Sequence, residues 1–397
     1  MAEILFWLLI LTIFYSYLGY ALILGIIVFF KRILKGKSKS QFPGNENLPE
    51  ITLFVAAYNE KEYIEIKQND FYNIDYPREK LRYVWLTDGS NDGSNEILKK
   101  YTDVEVYHEN ERKGKISAMN RGMKFVKSPI VVFSDCNTRI GKQSLLKIAE
   151  RMSDPKVGCV AGEKRIISNN KDTASGAGEG IYWKYESLIK RWEAELSSVI
   201  GAAGELFAVK TELFEEVEKD TLLDDFIISL RIAMKGYRVQ YHPDAYAIED
   251  ASVNVKEEMK RKIRISAGAI QSIIRLKSLL NIFRYGWLSL QYISHKVLRW
   301  TLVPLSLLVI VPLNISLCFS EHTFLPEQLY LLLILLQVGF YSIALLGWYF
   351  ENRKISFKLF FVPYYFFIMN LSVYLGFFRF LKGKQSVNWE KAKRSIR

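Results

Sequence analysis

Cysteine is scarce in this sequence and occurs in no pattern that would build a disulfide framework or a zinc site. The three cysteines, Cys136, Cys159 and Cys318, form neither a close pair nor a metal-ligand spacing, so we expect free thiols. The chain also contains no internal repeat and no low-complexity tract, which excludes repeat architectures. A length of 397 residues leaves room for a sizeable hydrophobic core, and the fold must depend on that core.

Four long segments lack charged residues almost completely. Hydrophobic residues make up 50% of the chain although 24% of its residues are charged, so the apolar content is unevenly distributed. The uncharged runs, each near the length that crosses the hydrocarbon of a bilayer, are Ile4 to Phe30, Leu302 to Leu317, Leu329 to Phe350 and Leu359 to Phe378. The first run has no basic leader and no small-residue cleavage site, which argues against a cleaved signal peptide. We therefore predict four membrane segments.

Positive charge is concentrated next to these apolar runs. Five basic residues between Lys31 and Lys39 follow the first run directly, and the positive-inside rule places that end in the cytoplasm. The formal net charge of +12 is compatible with nucleic acid. However, the basic residues lie beside apolar runs and between Lys256 and Lys277, where anionic lipid head groups explain them more simply. We predict a multi-pass protein of the inner or plasma membrane with a cytoplasmic domain and no nucleic-acid partner.

The chain between the first two spans has the pattern of an α/β domain with a largely parallel sheet, because short β-rich runs alternate with stretches of helical composition. The β-rich runs are Ile51 to Ala57, Arg82 to Thr87, Val104 to Tyr107 and Ile130 to Ser134. The predicted organisation is a transmembrane helix at 1–30, a basic juxtamembrane linker at 31–48, the α/β domain at 49–268, an interfacial amphipathic region at 269–300, membrane segments at 301–381 and a basic tail at 382–397.

Polar and acidic residues follow three of the four predicted strands. The clusters after the first, second and fourth strands contain Glu60, Asp88 and Asp135 in turn. Any one cluster is explained by a turn, because Asp, Asn, Ser and Gly are the ordinary turn residues. Three clusters on successive strands instead predict one cleft, since ligands bind beyond the carboxyl ends of an open parallel sheet. The positive run Arg112 to Lys115 suits a diphosphate, or is a solvated basic face.

An ordered set of six motifs resembles family 2 glycosyltransferases. The motifs are Val55-Ala-Ala-Tyr-Asn-Glu60, Leu86-Thr-Asp-Gly-Ser90, Lys113-Gly-Lys115 with Asn120, Ser134-Asp-Cys-Asn-Thr138, Leu223-Asp-Asp-Phe226 and Arg261-Lys-Ile-Arg264. Flanking membrane spans are typical of the polysaccharide synthases in that family. The resemblance implies a GT-A fold, which is a Rossmann-like α/β domain with a mostly parallel sheet. It also implies an inverting mechanism and a divalent metal, Mg2+ or Mn2+.

The resemblance further implies donor-binding roles for residues after the strands. Glu60 and Asp88 would hold the nucleoside, and Lys115 would lie near the nucleotide. Asp135 matches the first acid of the family's Asp-x-Asp motif, whose carboxylates help a metal bridge the diphosphate. Asn137 replaces the second acid, and an amide oxygen can ligate Mg2+ but brings no charge. The expected donor is a nucleotide-diphosphate sugar, and UDP is the family's commonest carrier.

The family pattern aligns Asp225 with the catalytic base, which deprotonates the acceptor hydroxyl. The plain alternative is that Asp224 and Asp225 favour a helix N-terminus, because a periodic apolar run follows them. Two adjacent carboxylates could raise one another's pKa, which would suit a base. Gly201-Ala-Ala-Gly-Glu205 resembles the loop near the acceptor in these enzymes, so Glu205 and Asp224 are candidate acceptor-binding residues.

Two arginines on a predicted helix are candidates for gripping the diphosphate. Arg261 and Arg264 fall three apart and so share a face, although lipid-facing charge explains them equally plainly. In processive synthases of the family the corresponding motif is Gln-x-x-Arg-Trp, whereas Arg261 and Ile265 stand here where Gln and Trp are expected. That tryptophan normally helps to seat the acceptor's terminal sugar. Extension of a polysaccharide and transfer of one sugar to a lipid-linked acceptor therefore both stay open.

A membrane transporter and a non-catalytic nucleotide-binding protein are the competing interpretations. The apolar runs carry few charges beyond their ends, whereas transport sites need polar groups within the membrane. A regulator would keep Asp88 and lose Asp225, which is present. Three crossings after a cytoplasmic domain would place the basic tail outside. Either the positive-inside rule fails at this end or one segment is re-entrant. The last segment, which contains Pro363 and Asn370, is the better candidate to bend or to insert partially.

Overall fold

The computed structural model describes residues 1–35, 44–167, 174–250, 255–320, 323–353 and 358–383. Much of the predicted basic linker, at 36–43, and most of the predicted tail, at 384–397, lie outside the described residues.

The centre of the described chain is a mixed β-sheet. Its strands are β1 (Ile51–Ala57), β2 (Leu81–Asp88), β3 (Val104–Glu109), β4 (Ile130–Phe133), β5 (Arg139–Ile140), β6 (Val157–Ile167), β7 (Phe207–Lys210) and β8 (Arg238–Asp250). They form one eight-stranded sheet in the order β3-β2-β1-β4-β7-β6-β8-β5. The first four strands pair in parallel, as predicted, whereas β7 runs antiparallel between β4 and β6.

Helices alternate with the first strands and then continue into the apolar segments. The helices are α1 (Ala2–Phe14), α2 (Tyr20–Lys35), α3 (Lys61–Tyr72), α4 (Ser94–Leu98), α5 (Lys115–Met123), α6 (Ser144–Met152), α7 (Ala174–Leu196), α8 (Asp224–Met234), α9 (Val255–Arg275), α10 (Ile282–Tyr285), α11 (Trp287–Tyr292), α12 (Leu298–Trp300), α13 (Leu302–Cys318), α14 (Glu327–Asn352) and α15 (Lys358–Leu381). A π-helical turn, Tyr15–Gly19, joins α1 to α2, and another, Ile293–Val297, joins α11 to α12.

The sheet divides the core of the α/β domain into two apolar layers, because successive side chains of a strand point to opposite faces. On β1, Phe54 and Ala56 pack into one layer, and Leu53 and Val55 pack into the other. Every position of β1 is buried, which is why this strand is a continuous apolar run and not an alternating one. A buried central strand fixes the position of the residues that follow its carboxyl end.

The carboxyl ends of β1, β2 and β4 meet at one edge of the sheet, because these strands are parallel neighbours. Since β7 is antiparallel to β4, the loop before β7 reaches the same edge. Ser134, directly after β4, donates a hydrogen bond of 3.0 Å to the carbonyl oxygen of Glu205. The predicted acceptor loop, Gly201 to Glu205, therefore lies beside the ends of the parallel strands.

In the described part of the chain, three helices are long and apolar enough to span a membrane, or four if a bent pair counts as one span. The three are Ala2–Leu34, Glu327–Asn352 and Leu359–Leu381, and the bent pair is Trp287–Trp300 with Leu302–Cys318, at 47°. Helix α15 has no break at Pro363, which lies inside it, and the expected bending or partial insertion of this segment stays a prediction. Neighbouring helices can compensate for a proline in this way. The break lies instead at Thr301, whose φ of −128° and ψ of −81° are not helical.

Two helices of the α/β domain pack directly against the apolar helices. On α7, the carbonyl oxygens of Glu195 and Leu196 accept hydrogen bonds of 2.5 and 3.0 Å from Lys31 Nζ. On α9, Ser266 lies close to Gly376 of α15. A Cβ atom added at Gly376 would be 2.5 Å from the Cβ atom of Ser266. The edge of the sheet is therefore connected through α7 and α9 to the predicted membrane segments.

Candidate active site

One cavity of about 670 Å³ joins the edge of the sheet to the apolar helices. Lys115, Asp135 and Asp225 line its polar end. Tyr17, from the π-helical turn of the first span, and Phe366, from α15, line its other end. A ligand in this cavity can contact charged groups of the α/β domain and side chains of the apolar helices at the same time.

Asp224 and Asp225 occupy the first turn of α8 and line the cavity. The Oδ1 atom of Asp225 accepts a hydrogen bond of 2.8 Å from the backbone amide of Phe226. Burial, followed by the neighbouring carboxylate of Asp224, raises the pKa of Asp225 to about 7. A carboxyl group with a pKa near neutrality is suited to act as a general base at physiological pH.

Lys115 connects acidic groups that come from two different elements. Its Nζ lies 3.0 Å from Oδ1 of Asp135, after β4, and 3.5 Å from Oδ2 of Asp224, at the start of α8. Burial disfavours the charged ammonium, but these two carboxylates raise the pKa of Lys115 above its ordinary value. Lys115 therefore stays protonated and places a positive charge between the predicted donor and base positions.

A smaller pocket at the end of β2 contains Asp88. Its Oδ2 atom accepts hydrogen bonds from the backbone amides of Lys113, at 3.0 Å, and Gly114, at 2.6 Å. Its Oδ1 atom is buried and has no hydrogen-bond partner among the described residues, so it can accept a hydrogen bond from a ligand. The guanidinium of Arg112 lies 3.8 Å from the centre of the Tyr58 ring, and this stack forms a flat wall of the pocket.

Besides Asp88, two predicted site residues do not line the main cavity. Glu60 is buried at the end of β1, directly before α3. Asn137 is half-buried in the turn after β4, two residues beyond Asp135. Neither belongs to the described residues that line the main cavity.

The surroundings of Asp135 bear on the expected divalent cation. In the described ranges, no group of three His, Cys, Asp or Glu side chains could hold a metal ion. Asp135 nevertheless contributes one carboxylate to the polar end of the cavity, and Mg2+ is commonly bound by one or two carboxylates together with substrate phosphates. These residues fit a cation that is shared with a diphosphate, and they do not fit a cage made by the protein alone.

Arg261 and Arg264 both lie on α9 and line the cavity, as their spacing predicted. Arg261 donates hydrogen bonds of 3.0 and 2.8 Å to the two oxygens of Glu258, and this two-point contact holds its guanidinium in place. Arg264 donates a hydrogen bond of 3.4 Å to the carbonyl oxygen of Leu222. Burial and, next, the charge of Arg261 lower the pKa of Arg264. An anion bound between the two guanidinium groups would relieve this repulsion.

Glu205 belongs to a buried ion-pair network at the same edge of the sheet. Lys164, whose side chain is only 1% exposed, forms ion pairs with both Glu205 and Glu249. Burial disfavours the charged carboxylate, but Lys164 holds the pKa of Glu205 below its ordinary value. A carboxylate that stays charged can accept hydrogen bonds from sugar hydroxyls but is poorly suited to take up a proton. Of the acids at this edge, Asp225 is therefore the better base.

Substitution of Gly201 by alanine should disturb the site through Phe226, the residue after Asp225. Gly201 has a φ of +87°, and an added Cβ would lie 2.2 Å from Cδ2 of Phe226. Overpacking of this kind costs about 1–3 kcal/mol, and a left-handed backbone costs a residue with a Cβ roughly 1–2 kcal/mol more. We expect a clearly lower Tm for Gly201→Ala, measured by thermal unfolding in detergent.

Gly236→Ala is the matched control for this substitution. Gly236 has a similar φ of +93°, but an added Cβ would meet nothing within 4 Å. The control variant carries the backbone strain without the clash, so its Tm should fall much less. Equal losses of Tm in the two variants would show that contact with Phe226 contributes nothing.

The sequence analysis missed a group of charged residues at the apolar end of the cavity. Its members are Glu186, Lys190, His295, Lys296 and Arg299. The sequence analysis interpreted 269–300 as an interfacial amphipathic region and proposed no site residue there. These residues could have been found from the sequence, because ionisable residues beside apolar spans are rare unless they have a partner or a function.

Comparison with known families identifies one match within the α/β domain. Residues 52–217 match the sequence model described as Glycosyl transferase family 2. The matched range begins in β1 and includes Asp88, Lys115, Asp135 and Glu205. It ends before Asp225, so the assignment of the base depends on the geometry described above.

Two curated relatives are polymer synthases from staphylococci. A poly-beta-1,6-N-acetyl-D-glucosamine synthase of Staphylococcus aureus (strain COL) is 28% identical over 240 residues, which cover 58% of this chain and 57% of the synthase. A protein of the same name from Staphylococcus epidermidis is 25% identical over 254 residues, covering 62% of this chain and 60% of that protein. The chain therefore spans less than two thirds of the length of these relatives.

A solved structure with the same fold covers nearly the whole chain. It is a mannosyltransferase from Pyrobaculum calidifontis in complex with GDP-Man and Mn2+, with a TM-score of 0.70 and 23% identity. The match covers 97% of this chain and 100% of the mannosyltransferase. The GT-A fold of the α/β domain, together with its flanking apolar helices, therefore has a counterpart in a solved structure.

Proposed function

We propose that this chain is an inverting enzyme of the inner or plasma membrane. It transfers a sugar from a nucleotide diphosphate to an acceptor hydroxyl, in keeping with the match of residues 52–217 to glycosyl transferase family 2. The cavity that joins Asp225 to Tyr17 and Phe366 carries the proposal. A catalytic carboxylate and side chains of membrane helices in one cavity suit an acceptor that is itself held at a membrane. The acceptor is a lipid-linked or growing saccharide at the cytoplasmic face.

The donor is a nucleotide-diphosphate sugar, with UDP as the carrier that the family favours. Asp88 accepts a hydrogen bond from the base through its buried Oδ1 atom, which has no partner among the described residues. The stacked side chains of Tyr58 and Arg112 cover one side of the nucleoside. Glu60, at the end of β1, contributes to the nucleoside site from the neighbouring strand.

The diphosphate lies near Lys115, Arg261 and Arg264, all of which line the cavity. Fixed positive charge next to a leaving diphosphate stabilises the negative charge that develops as the glycosidic bond breaks. Asp135, with Asn137 as an uncharged second ligand, holds a Mg2+ or Mn2+ ion together with the phosphates, and the mannosyltransferase of the same fold contains Mn2+. Such an ion, when bound, neutralises charge on the departing nucleotide diphosphate.

Asp225 is the base in this proposal. Its carboxylate takes the proton of the acceptor hydroxyl while the hydroxyl oxygen attacks the anomeric carbon from the face opposite the diphosphate. A new glycosidic bond forms, the bond to the diphosphate breaks, and the configuration at the anomeric carbon is inverted. Glu205 and Asp224 accept hydrogen bonds from acceptor hydroxyls and so orient the attacking sugar.

The rate of transfer should depend on pH through Asp225. Because its pKa is raised to about 7, the carboxyl group is mostly protonated in mildly acidic solution and then cannot act as a base. We expect kcat/KM to fall about tenfold for each pH unit below about pH 6.5 and to level off above about pH 7.5. A pH–rate profile of the wild-type protein measures this dependence.

Glu205→Gln is the control for the shape of that profile. The pKa of Glu205 is lowered and not raised, so this carboxylate does not titrate near neutrality. The variant should be slower at every pH but should keep the acidic limb of the profile. A wild-type rate that stays constant from about pH 5.5 to about pH 7.5 would argue against Asp225 as the base.

Transfer assays with the full-length protein in membrane vesicles test the function directly. A panel of labelled nucleotide sugars with UDP or GDP carriers is supplied together with a lipid extract as the source of acceptor. We expect label from one donor to enter a lipid-extractable or polymeric product in a reaction that needs a divalent cation. If the protein neither binds nor transfers any donor of the panel, the proposed function is refuted. Donor access in sealed vesicles of either orientation tests the cytoplasmic location.

A further inference from the structure

A second group of charged side chains lies in the same cavity, at the end formed by the apolar helices. The group, called here the membrane-end cluster, consists of Glu186, Lys190, His295, Lys296 and Arg299. Arg299 donates a hydrogen bond of 3.0 Å to the carbonyl oxygen of Ser16, and its guanidinium lies 5.7 Å from the centre of the Tyr17 ring. The cluster is thus in direct contact with the middle of the first span.

The carboxylates of this region are already engaged. Glu186 accepts hydrogen bonds from Lys296 at 3.1 Å and from Arg299 at 3.0 Å, and it also contacts Nε2 of His295 at 3.1 Å. The second carboxylate, Glu193, is fully buried and contacts Nδ1 of His295 at 2.8 Å. Both ring nitrogens of His295 therefore face carboxylates, and these contacts leave neither carboxylate available to a further cation.

Among the described residues of this region, Lys190 has no anionic partner. It follows Glu186 by four residues on α7, a spacing that often gives an ion pair, yet it forms no hydrogen bond or ion pair with any described residue. Its Nζ lies 5.6 Å from the centre of the Trp183 ring. The residue is only 6% exposed and lines the cavity. A buried ammonium without an anion is unfavourable, so this position is built for negative charge that a ligand supplies.

The donor does not supply that charge in the proposed function. Its diphosphate lies at the other end of the cavity, near Lys115 and the two arginines of α9. Lys296 and Arg299 pair with Glu186, whereas Lys115 pairs with Asp135 and Asp224. The cavity therefore contains two cationic groups that pair with different carboxylates, and this arrangement suits two ligands that each carry phosphate.

We propose that the membrane-end cluster binds the phosphate of a lipid-phosphate-linked acceptor, with Lys190 as the main contact. This inference rests on the proposed function, because it names the chemical class of the acceptor. In such a molecule the phosphate lies between the saccharide and the hydrocarbon chain. The cluster likewise shares one cavity with Asp225, where the acceptor hydroxyl reacts, and with Phe366 of the apolar helices. Arg299 of the cluster contacts Tyr17 of the first span, where the hydrocarbon chain continues.

Direct binding tests the phosphate site without requiring sugar transfer. The full-length protein in nanodiscs of neutral phosphatidylcholine is titrated with a polyprenyl monophosphate, and the increase in Tm gives the affinity. Lys190→Met removes the ammonium and keeps an unbranched side chain. Lys184→Met, at an exposed position of the same helix, is the matched control. We expect the wild type and Lys184→Met to bind equally, and Lys190→Met to bind at least about tenfold more weakly.

Two further titrations identify the source of the phosphate group. Phosphatidylglycerol at the same mole fraction should raise the Tm of the wild type much less than the polyprenyl phosphate does, and inorganic phosphate should have little effect. An increase with phosphatidylglycerol that is equally large and equally dependent on Lys190 would assign the site to a phospholipid head group and overturn the proposal. So would an equal increase in Tm for the wild type and Lys190→Met with the polyprenyl phosphate.

Steady-state kinetics connect the site to the acceptor. Lys190→Met should raise KM for a polyprenyl-phosphate-linked saccharide about tenfold, with KM for the nucleotide sugar unchanged. The same saccharide on an uncharged alkyl chain should be used equally well by the wild type and the variant. An equal rise in KM for both acceptors would overturn the proposal. Absence of transfer by the wild type with every donor would count against the proposed function only, because the binding titrations do not depend on it.

Discussion

Replacing Asp225 with asparagine should reduce sugar transfer about 10²- to 10⁴-fold, the usual contribution of a general base, while nucleotide-sugar binding persists. Asparagine has nearly the same shape, and its side-chain oxygen can still accept the hydrogen bond of 2.8 Å from the amide of Phe226. The start of α8 should therefore be preserved. Asparagine cannot take up the proton of the acceptor hydroxyl. Transfer of labelled sugar and calorimetric titration with the donor measure the two effects separately.

Asp244→Asn is the matched control for this loss. Its carboxylate is 66% exposed and makes only long contacts, of 3.7 Å with Arg165 and 4.0 Å with Nδ1 of His242. The substitution removes the same charge from the protein but lies outside the cavity, so transfer should remain near the wild-type rate. Near-normal transfer by Asp225→Asn, or equal losses in both variants, would exclude Asp225 as the base.

Asp225→Asn should also unfold at a higher Tm than the wild type as the pH rises towards and above neutrality. The pKa of Asp225 is raised from an ordinary value of 3.8 to about 7, so the folded protein binds this proton more tightly than the unfolded chain does. The resulting contribution to the free energy of unfolding is complete below about pH 4 and is lost as the pH rises through about 7. Asparagine does not ionise, so the Tm of Asp225→Asn should exceed that of the wild type increasingly from about pH 5 to about pH 8.

The resemblance to family 2 glycosyltransferases predicted from the ordered motifs is confirmed by the family match over residues 52–217, and the predicted GT-A fold is confirmed by the solved structure. The prediction succeeded because the first half of the sheet is encoded locally. The first strand has the predicted bounds, Ile51–Ala57, since a short apolar run ending in polar residues is visible in a short stretch of sequence. Each parallel strand then delivers its polar residues to the same edge.

The second half of the sheet could not be predicted from local patterns. The strand Phe207–Lys210 is only four residues long, and it pairs antiparallel with both β4 and β6. Its partners are distant in sequence, and the choice among possible partners depends on packing across the whole domain. The insertion of β7 between β4 and β6 brings the acceptor loop to the catalytic edge. The position of Glu205 beside Lys164 therefore could not be predicted from the sequence either.

The apolar end of the cavity shows the same limit. Composition identified the membrane segments, but the break at Thr301 has no signal in its apolar surroundings. Pro363 lies within helix α15, and neighbouring helices can compensate for a proline in a membrane helix. Glu186 and His295 are 109 residues apart in the chain, and each is explained singly as a polar residue near the membrane interface. The packing of α7 beside the turn at 293–297 joins them in one network, in which Lys190 has no ion-pair partner among the described residues.

Asp135→Asn should remove most of the dependence of donor binding on a divalent cation. The carboxylate of Asp135, which lines the cavity, is the charged ligand of the cation in the proposed function. Loss of a residue that only hydrogen-bonds to a metal ligand costs about 10- to 100-fold in metal affinity. Loss of the ligand itself should therefore cost at least about 100-fold. We expect Mn2+ or Mg2+ to increase the affinity of the wild type for a nucleotide sugar. The same ions should leave the affinity of Asp135→Asn almost unchanged.

Lys115 makes this outcome distinguishable from a folding defect. It pairs with Asp135 at 3.0 Å and with Asp224 at 3.5 Å, so removal of the first carboxylate leaves its ammonium freer to contact the diphosphate. Donor binding in EDTA should therefore be unchanged or stronger in Asp135→Asn, whereas a misfolded site would lose it. Asn137→Ala, which removes a neutral amide, should reduce metal affinity much less. If EDTA does not weaken donor binding by the wild type and Asp135→Asn also binds normally, Lys115 and the two arginines of α9 hold the diphosphate without a cation at Asp135.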